Sequence, residues 1–478
     1  MRLSALVLGL IVLSVASDAA AAAGTPGSCE RQFTWLDGET DRLGVRDAEA
    51  RPIPGFPYLR ADRYAASWRD EVATEAAFHT WVHRLADLDR AARVVERHNL
   101  PPANRHGVDL HLGDQLDGCR EVLISRDLGS AKRRAALRSA VRVADSYSVV
   151  ARTAGLYPLT ALGVAFGYQR WVDANLGVFD IEPTALPVKG TLVRWGPGER
   201  SPPPELGRLP RDPLGHPILD QATFEALAHA HAPVFVVDQA GAFDLPGAPY
   251  PGPPPGVDPS RPEVSVRLAF QRSDDGPLVQ LVYTLWFDER PAAGRFDLLA
   301  GTLDGLMWRV TLDDRGRVLV HDTIHACGCY HLAFPVPPVT RAAMPEDSDL
   351  REGLLAPAPA PLVGPNERLT VRVASGSHYV VGLSAAPAKT PDEHPYRLVA
   401  DLAVPDRLMR ITQSSNTTAS LYREDALVAG SERGERYTLW PMGVVEPGAM
   451  RQWGHHATAF VGRRHFDDPW LIDGAFDW

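Results

Sequence analysis

The chain has 478 residues, 45% of them hydrophobic and 23% charged, the balance of a folded globular protein and not of a disordered one. A formal net charge of −10 over that length excludes nucleic acid as a main partner, since that role needs a basic face. The length suffices for two or three ordinary domains, or for one large domain with insertions.

Met1 and Arg2 lead into an apolar stretch, Leu3 to Ala16, followed by Asp18 and an Ala-rich run ending at Gly24. That is the order of a secretory signal peptide, and its apolar core falls short of the ~20 residues a bilayer span requires. This order predicts removal of residues 1–23 and a secreted or periplasmic, water-soluble product with no transmembrane anchor. Cys29 stands behind Thr25-Pro26-Gly27-Ser28, too far from the apolar core for a lipoprotein signal, so lipidation is the lesser expectation. Cys29, Cys119, Cys327 and Cys329 would then meet an oxidising compartment, where Cys29 with Cys119 is the plainest disulfide.

From Asp62 to Asn99 apolar residues recur at three- and four-residue steps, which predicts a helix stopped by Asn99 and the Pro101-Pro102 pair. His79 and His83 share one face of it, lack the acid of a helical zinc motif, and read as surface histidines. A second helical stretch spans about Ser130 to Tyr147. Leu156 to Val172 is a more apolar segment broken by glycines. Residues 24–183 are therefore expected to be mainly helical.

Proline-rich patches at Ser201 to Pro204 and Pro249 to Pro255 make residues 184–262 read as a linker or insertion, with one short apolar segment from Pro233 to Val237. From Glu263 the texture becomes that of β-strands. Val264 to Arg272 and Leu278 to Phe287 form a hairpin about Ser273-Asp274-Asp275-Gly276; Met307 to Leu312 and Arg317 to Thr323 form another about Asp313-Asp314-Arg315-Gly316. Further strands are expected at Leu369 to Ala374, His378 to Leu383, Tyr396 to Leu402, Tyr437 to Trp440 and Ala457 to Val461. The fold class is α+β: a mainly helical N-terminal third, then a predominantly antiparallel β region over 263–478.

One segment concentrates chemistry: His321, His325, Cys327, Cys329 and His331 occupy odd positions within eleven residues. On an extended strand they would share one face, and imidazole with thiolate is the donor set of zinc or copper. A straight strand would spread them over roughly 33 Å, so Gly328 is expected to supply a bulge or turn that gathers Cys327, Cys329 and a flanking His. With a symmetric turn at Asp313 to Gly316, His321 would face Trp308. The candidate metal ligands are His325, Cys327, Cys329 and His331, completed by His455 or His456 from the C-terminal run, where Asp467 or Asp468 would act as general base. His378 is a weaker candidate.

The same residues also fit duller roles: Cys327-Gly328-Cys329 suits a strained disulfide, and the C-terminal histidines suit a solvated edge. Haem attachment, a P-loop, a nucleophile elbow and an EF-hand are all excluded by spacing. Asn416-Thr417-Thr418 matches a glycosylation sequon, a pattern that often recurs by chance. The expected function is an exported metal-dependent hydrolase whose ion activates water. The alternative is a non-enzymatic secreted protein that binds a small molecule or an envelope polymer, with disulfide-bonded cysteines. A thiol-redox role for the C-G-C pair is a third possibility.

Overall fold

Short polar side chains start six of the helices, each accepting a hydrogen bond from an N–H that the first turn leaves free. Thr25 caps α1 (Pro26–Leu43), Asp62 caps α2 (Arg63–Ser67) and Thr74 caps α3 (Glu75–Asn99). After α4 (Leu112–Leu128), Ser130 caps α5 (Ala131–Ala140) and Ser148 caps α6 (Val149–Ala154). The long α7 (Tyr157–Asn175) starts from Leu156, and Asp220 caps α8 (Gln221–His231). The computed structural model describes residues 24–101, 112–342, 351–402, 409–411 and 417–478. The leader at 1–23 and Asn416 of the sequon lie outside them.

The periodic stretch from Asp62 to Asn99 is two helices, because Thr74 caps afresh after the turn that follows Ser67. Together with the hairpin β1 (Arg51–Ile53) and β2 (Phe56–Ala61), they bury Phe33, Tyr58, Trp81, Leu85 and Leu123 in a first core. A disulfide between Cys29 and Cys119 ties α1 to α4. Inside this core Arg60 is fully buried, 2.7 Å from Glu96 and 3.3 Å from Asp89.

Residues 184–262, expected as a linker or insertion, contribute β3 (Thr191–Gly196), α8, β4 (Val234–Gln239), β5 (Pro246–Tyr250) and β6 (Gly256–Asp258). Pro246 opens β5, a position where a missing N–H is tolerated. The hairpin strands β7 (Glu263–Gln271) and β8 (Leu278–Arg290) pair as expected, with Gln271 opposite Leu278. β9 (Gly301–Leu312), β10 (Val318–His325) and β11 (Leu332–Pro335) follow, then β12 (Thr340–Arg341), β13 (Glu367–Val373), β14 (Val380–Pro387), β15 (Glu393–Pro395) and β16 (Arg397–Ala400).

An eight-stranded sheet runs β11-β10-β9-β8-β5-β6, with β7 also on β8 and β16 on β7; a five-stranded sheet runs β14-β13-β4-β3-β15. The larger sheet is mostly antiparallel, the smaller mixed, with β13–β4 and β15–β3 parallel, and a second core of Phe235, Val371, Tyr283, Phe287, Trp308 and Phe334, with Phe224 and Leu227 of α8, joins them. Tyr437 to Trp440 is not a strand: Arg436–Leu439 is a short helix, α9, passing into a tight turn over Trp440–Met442. Ala457 to Val461 makes only an isolated bridge, Ala457 with His465. Pro441 deprives the first of a ladder N–H, and the left-handed glycines 454 and 462 bracket the second.

Candidate active site around Asp304 and His325

The chemistry-bearing segment is a strand, a tight turn and a returning strand. A register shift between Val318 and Val320 places His321 opposite Val310 instead of Trp308, although the two rings still stack diagonally at 5.4 Å. β10 ends at His325, whose N–H donates to the Cys329 carbonyl at 2.9 Å and whose carbonyl accepts from the Gly328 N–H at 2.7 Å. Gly328 sits at φ 97°, and a Cβ there would meet the Ala457 carbonyl oxygen at 2.5 Å, so only glycine makes this turn.

The odd-numbered residues therefore do not share one face. His321 stacks in the core between the sheets, whereas His331 reaches Asp322 Oδ2 at 2.8 Å on the other side, where Arg309 grips the same carboxylate at 2.5 Å. Cys327 and Cys329 are free thiols set against Leu303, Trp286 and Met450. Their mutual hydrogen bond lowers the Cys327 pKa and raises that of Cys329. His455 bonds the Ala48 carbonyl at 2.8 Å, and burial drives the pKa of His456 down to about 3. Asp467 accepts from Arg63 at 3.3 Å and Asp468 from the His465 N–H at 2.7 Å. Among the described residues no group of three or more His, Cys, Asp or Glu is arranged to hold a metal ion. His325 faces Asp304, His331 faces Asp322 and His455 faces the Ala48 carbonyl, so the structure does not bring these donors together with Cys327, Cys329 and His456 in one group.

What the fold does assemble is a buried relay centred on Asp304 of β9. Its Oδ1 lies 3.3 Å from Nδ1 of His325 and 3.1 Å from the Arg433 guanidinium; its Oδ2 lies 2.8 Å from Nδ1 of His378. Nε2 of His378 is 3.3 Å from Asp244, which accepts from Ser375 Oγ at 2.9 Å and the Gly376 N–H at 2.8 Å. The His378 ring lies flat on Phe287, with centroids 3.9 Å apart.

Burial opposes charge throughout this relay, and the partners decide the outcome. Against burial, His325 and Arg433 hold the Asp304 carboxyl well below the usual range, while Asp244 and Asp304 raise the His378 pKa. His325 goes the other way: burial outweighs Asp304, its pKa falls, and the ring is neutral near pH 7. Leu303, Tyr330 and His378, all beside relay members, have positive φ (58°, 61° and 52°), a conformation costly for such side chains.

His325 also lines a cavity of about 290 Å³, with Trp171, Phe179, Leu306, Tyr330 and Tyr379 among its walls. Its Nε2 is buried and has no hydrogen-bond partner among the described residues. Burial raises the pKa of both tyrosines, so they keep their protons, and Arg290 donates to the Tyr379 hydroxyl at 3.3 Å. Asp467 lines a different cavity, of about 320 Å³, together with Glu49, Asp62, Arg84, Arg267 and Trp453.

Sequence reasoning named His325 and, weakly, His378, but missed Asp304, Tyr330, Tyr379 and Trp171. One signal was present: Asp304 is the lone carboxylate in an otherwise mostly apolar strand, and a charge at such a position needs a partner. Searches of protein-family models, curated proteins and solved structures find no match for this chain.

Proposed function

We propose that the protein is an exported hydrolase in which His325, oriented by Asp304, is the general base for attack of water on a small ester with an apolar body. The observation that carries this reading is the unpartnered Nε2 of His325, buried in the wall of a cavity while Nδ1 faces Asp304. A neutral imidazole with one nitrogen committed to a carboxylate and the other open is the form that takes a proton. Water, deprotonated by Nε2 as its oxygen bonds the carbonyl carbon, yields a tetrahedral oxyanion to which the protonated Tyr330 and Tyr379 hydroxyls donate. The imidazolium then returns the proton to the departing alkoxide. Trp171, Phe179 and Leu306 suit an acyl or aromatic body. Export is supported by the leader-like residues 1–23 and by the Cys29–Cys119 disulfide.

The test is hydrolysis of 4-nitrophenyl esters of increasing chain length by the purified protein and by His325→Gln. Turnover by the wild type that falls at least a hundredfold in the variant supports the reading. Equal rates, or no turnover of any ester, overturn it.

A further inference from the structure

We propose that the face formed by α6 and α7 docks on a lipid bilayer surface. Helices at a protein surface ordinarily turn apolar residues inward. Here the outward stripe of α7 is Leu159, Leu162 and Phe166, between 60% and 69% exposed, at spacings of three and four residues. Leu156 before it and Val149 and Val150 of α6 extend the stripe, with Val150 79% exposed. No Asp, Glu, Lys or Arg occurs from residue 153 to residue 169, and arginines at 152 and 170 bracket that run.

Three features favour a lipid surface over a second copy of the chain. The turn over Trp440–Met442 packs against both helices, and α9 with this turn adds the exposed rings of Tyr437 and Trp440, the residue types that settle at membrane–water interfaces. The run from residue 153 to residue 169 carries no charge that insertion would have to desolvate. Arg152 is held by the Met442 and Gly462 carbonyls, so the exposed Arg170 is the cation beside the stripe, and a few apolar side chains inserted to headgroup depth next to it suit an anionic bilayer. The docked helix is also the one that carries Trp171 into the cavity wall, so docking brings the His325 cavity to the bilayer. That last link rests on the hydrolase reading, and it implies an ester-linked amphiphile as substrate; the docking itself does not depend on it.

The experiment is co-sedimentation of the purified protein with vesicles of phosphatidylglycerol and phosphatidylethanolamine in equal parts. The wild type and His325→Gln are expected to pellet alike, and the double variant Leu159→Asp with Phe166→Asp to lose at least tenfold in bound fraction with an unchanged circular dichroism spectrum. Wild type left in the supernatant, or a double variant that pellets equally, overturns the proposal. So does a dimer in gel filtration that the double variant abolishes without any vesicle binding, because a second copy is then the occupant. Vesicle binding by a protein that hydrolyses no ester leaves docking standing and removes only the catalytic reading.

Discussion

Nδ1 of His325 and Oδ1 of Asp304 lie 3.3 Å apart on neighbouring strands, and Asp304 is at the same time the counter-ion of His378 and Arg433. One carboxylate thus orients the base and neutralises two other groups. Asp304→Asn is accordingly expected to cost ~3–5 kcal/mol of stability, because it leaves the buried Arg433 guanidinium without this carboxylate, while His378 keeps only Asp244. Urea unfolding monitored by tryptophan fluorescence measures this; a change below about 1 kcal/mol would show that the relay is not the electrostatic centre described.

The Arg309–Asp322 pair, both side chains fully buried, holds His331 through its Nε2. Asp322→Ala is expected to cost ~3–5 kcal/mol, whereas His331→Gln, which can keep one hydrogen bond to Asp322, should cost about 1 kcal/mol. A His331→Gln variant less stable than Asp322→Ala would reverse the order of importance assigned to the two.

Cys29 and Cys119 are 90 residues apart, so their disulfide removes a large loop from the unfolded ensemble. The double substitution to serine should lower stability by ~4 kcal/mol. Thiol titration of the denatured protein is expected to find two thiols without reductant, Cys327 and Cys329, and four with it. Finding none without reductant would place a second disulfide at the C-G-C turn.

Stability should fall on mild acidification. Burial sets the pKa of His321 and His456 at about 3, and that of His216 and His331 at about 4, against 6.5 for an unfolded histidine. Above 6.5 both states are neutral; between 6.5 and about 3 the unfolded chain binds protons that the folded one refuses. His378 opposes this, since its raised value stabilises the fold below 6.5 and loses effect as pH rises through that value. His231, also held at about 4, and the lowered His229, His325 and His455 add to the first group, so the histidines give a net loss in acid, read as a falling urea midpoint between neutrality and about pH 4.5. A midpoint that rises over this range would contradict the burial of these rings.

Much of the β region was legible because its signals are local. The turns at Ser273 to Gly276 and Asp313 to Gly316 carry their own chemistry, and flanking alternation did the rest. The site was legible only at His325 and His378. Asp304 meets them through strand pairing and a loop from the other sheet, and no spacing in the chain encodes that meeting. The one-face idea failed at Gly328, whose left-handed turn folds Cys329 and His331 back along β11. Of the bulge or turn expected at this glycine, the structure has the turn, and it does not gather the cysteines with a histidine. The prolines of 184–262 suggested a linker or insertion, and the apolar Val234 to Val237 between them builds the inner strand β4.

The central claim is that His325 takes a proton through Nε2 while Asp304 holds Nδ1. Its most direct measurement is the pH dependence of kcat/KM for 4-nitrophenyl butyrate. The account predicts an acid limb with an apparent pKa below that of a free histidine, because burial lowers His325, and predicts that this limb disappears, with the rate itself, in His325→Gln. A limb that persists in His325→Gln would assign the proton transfer to another group and contradict the account.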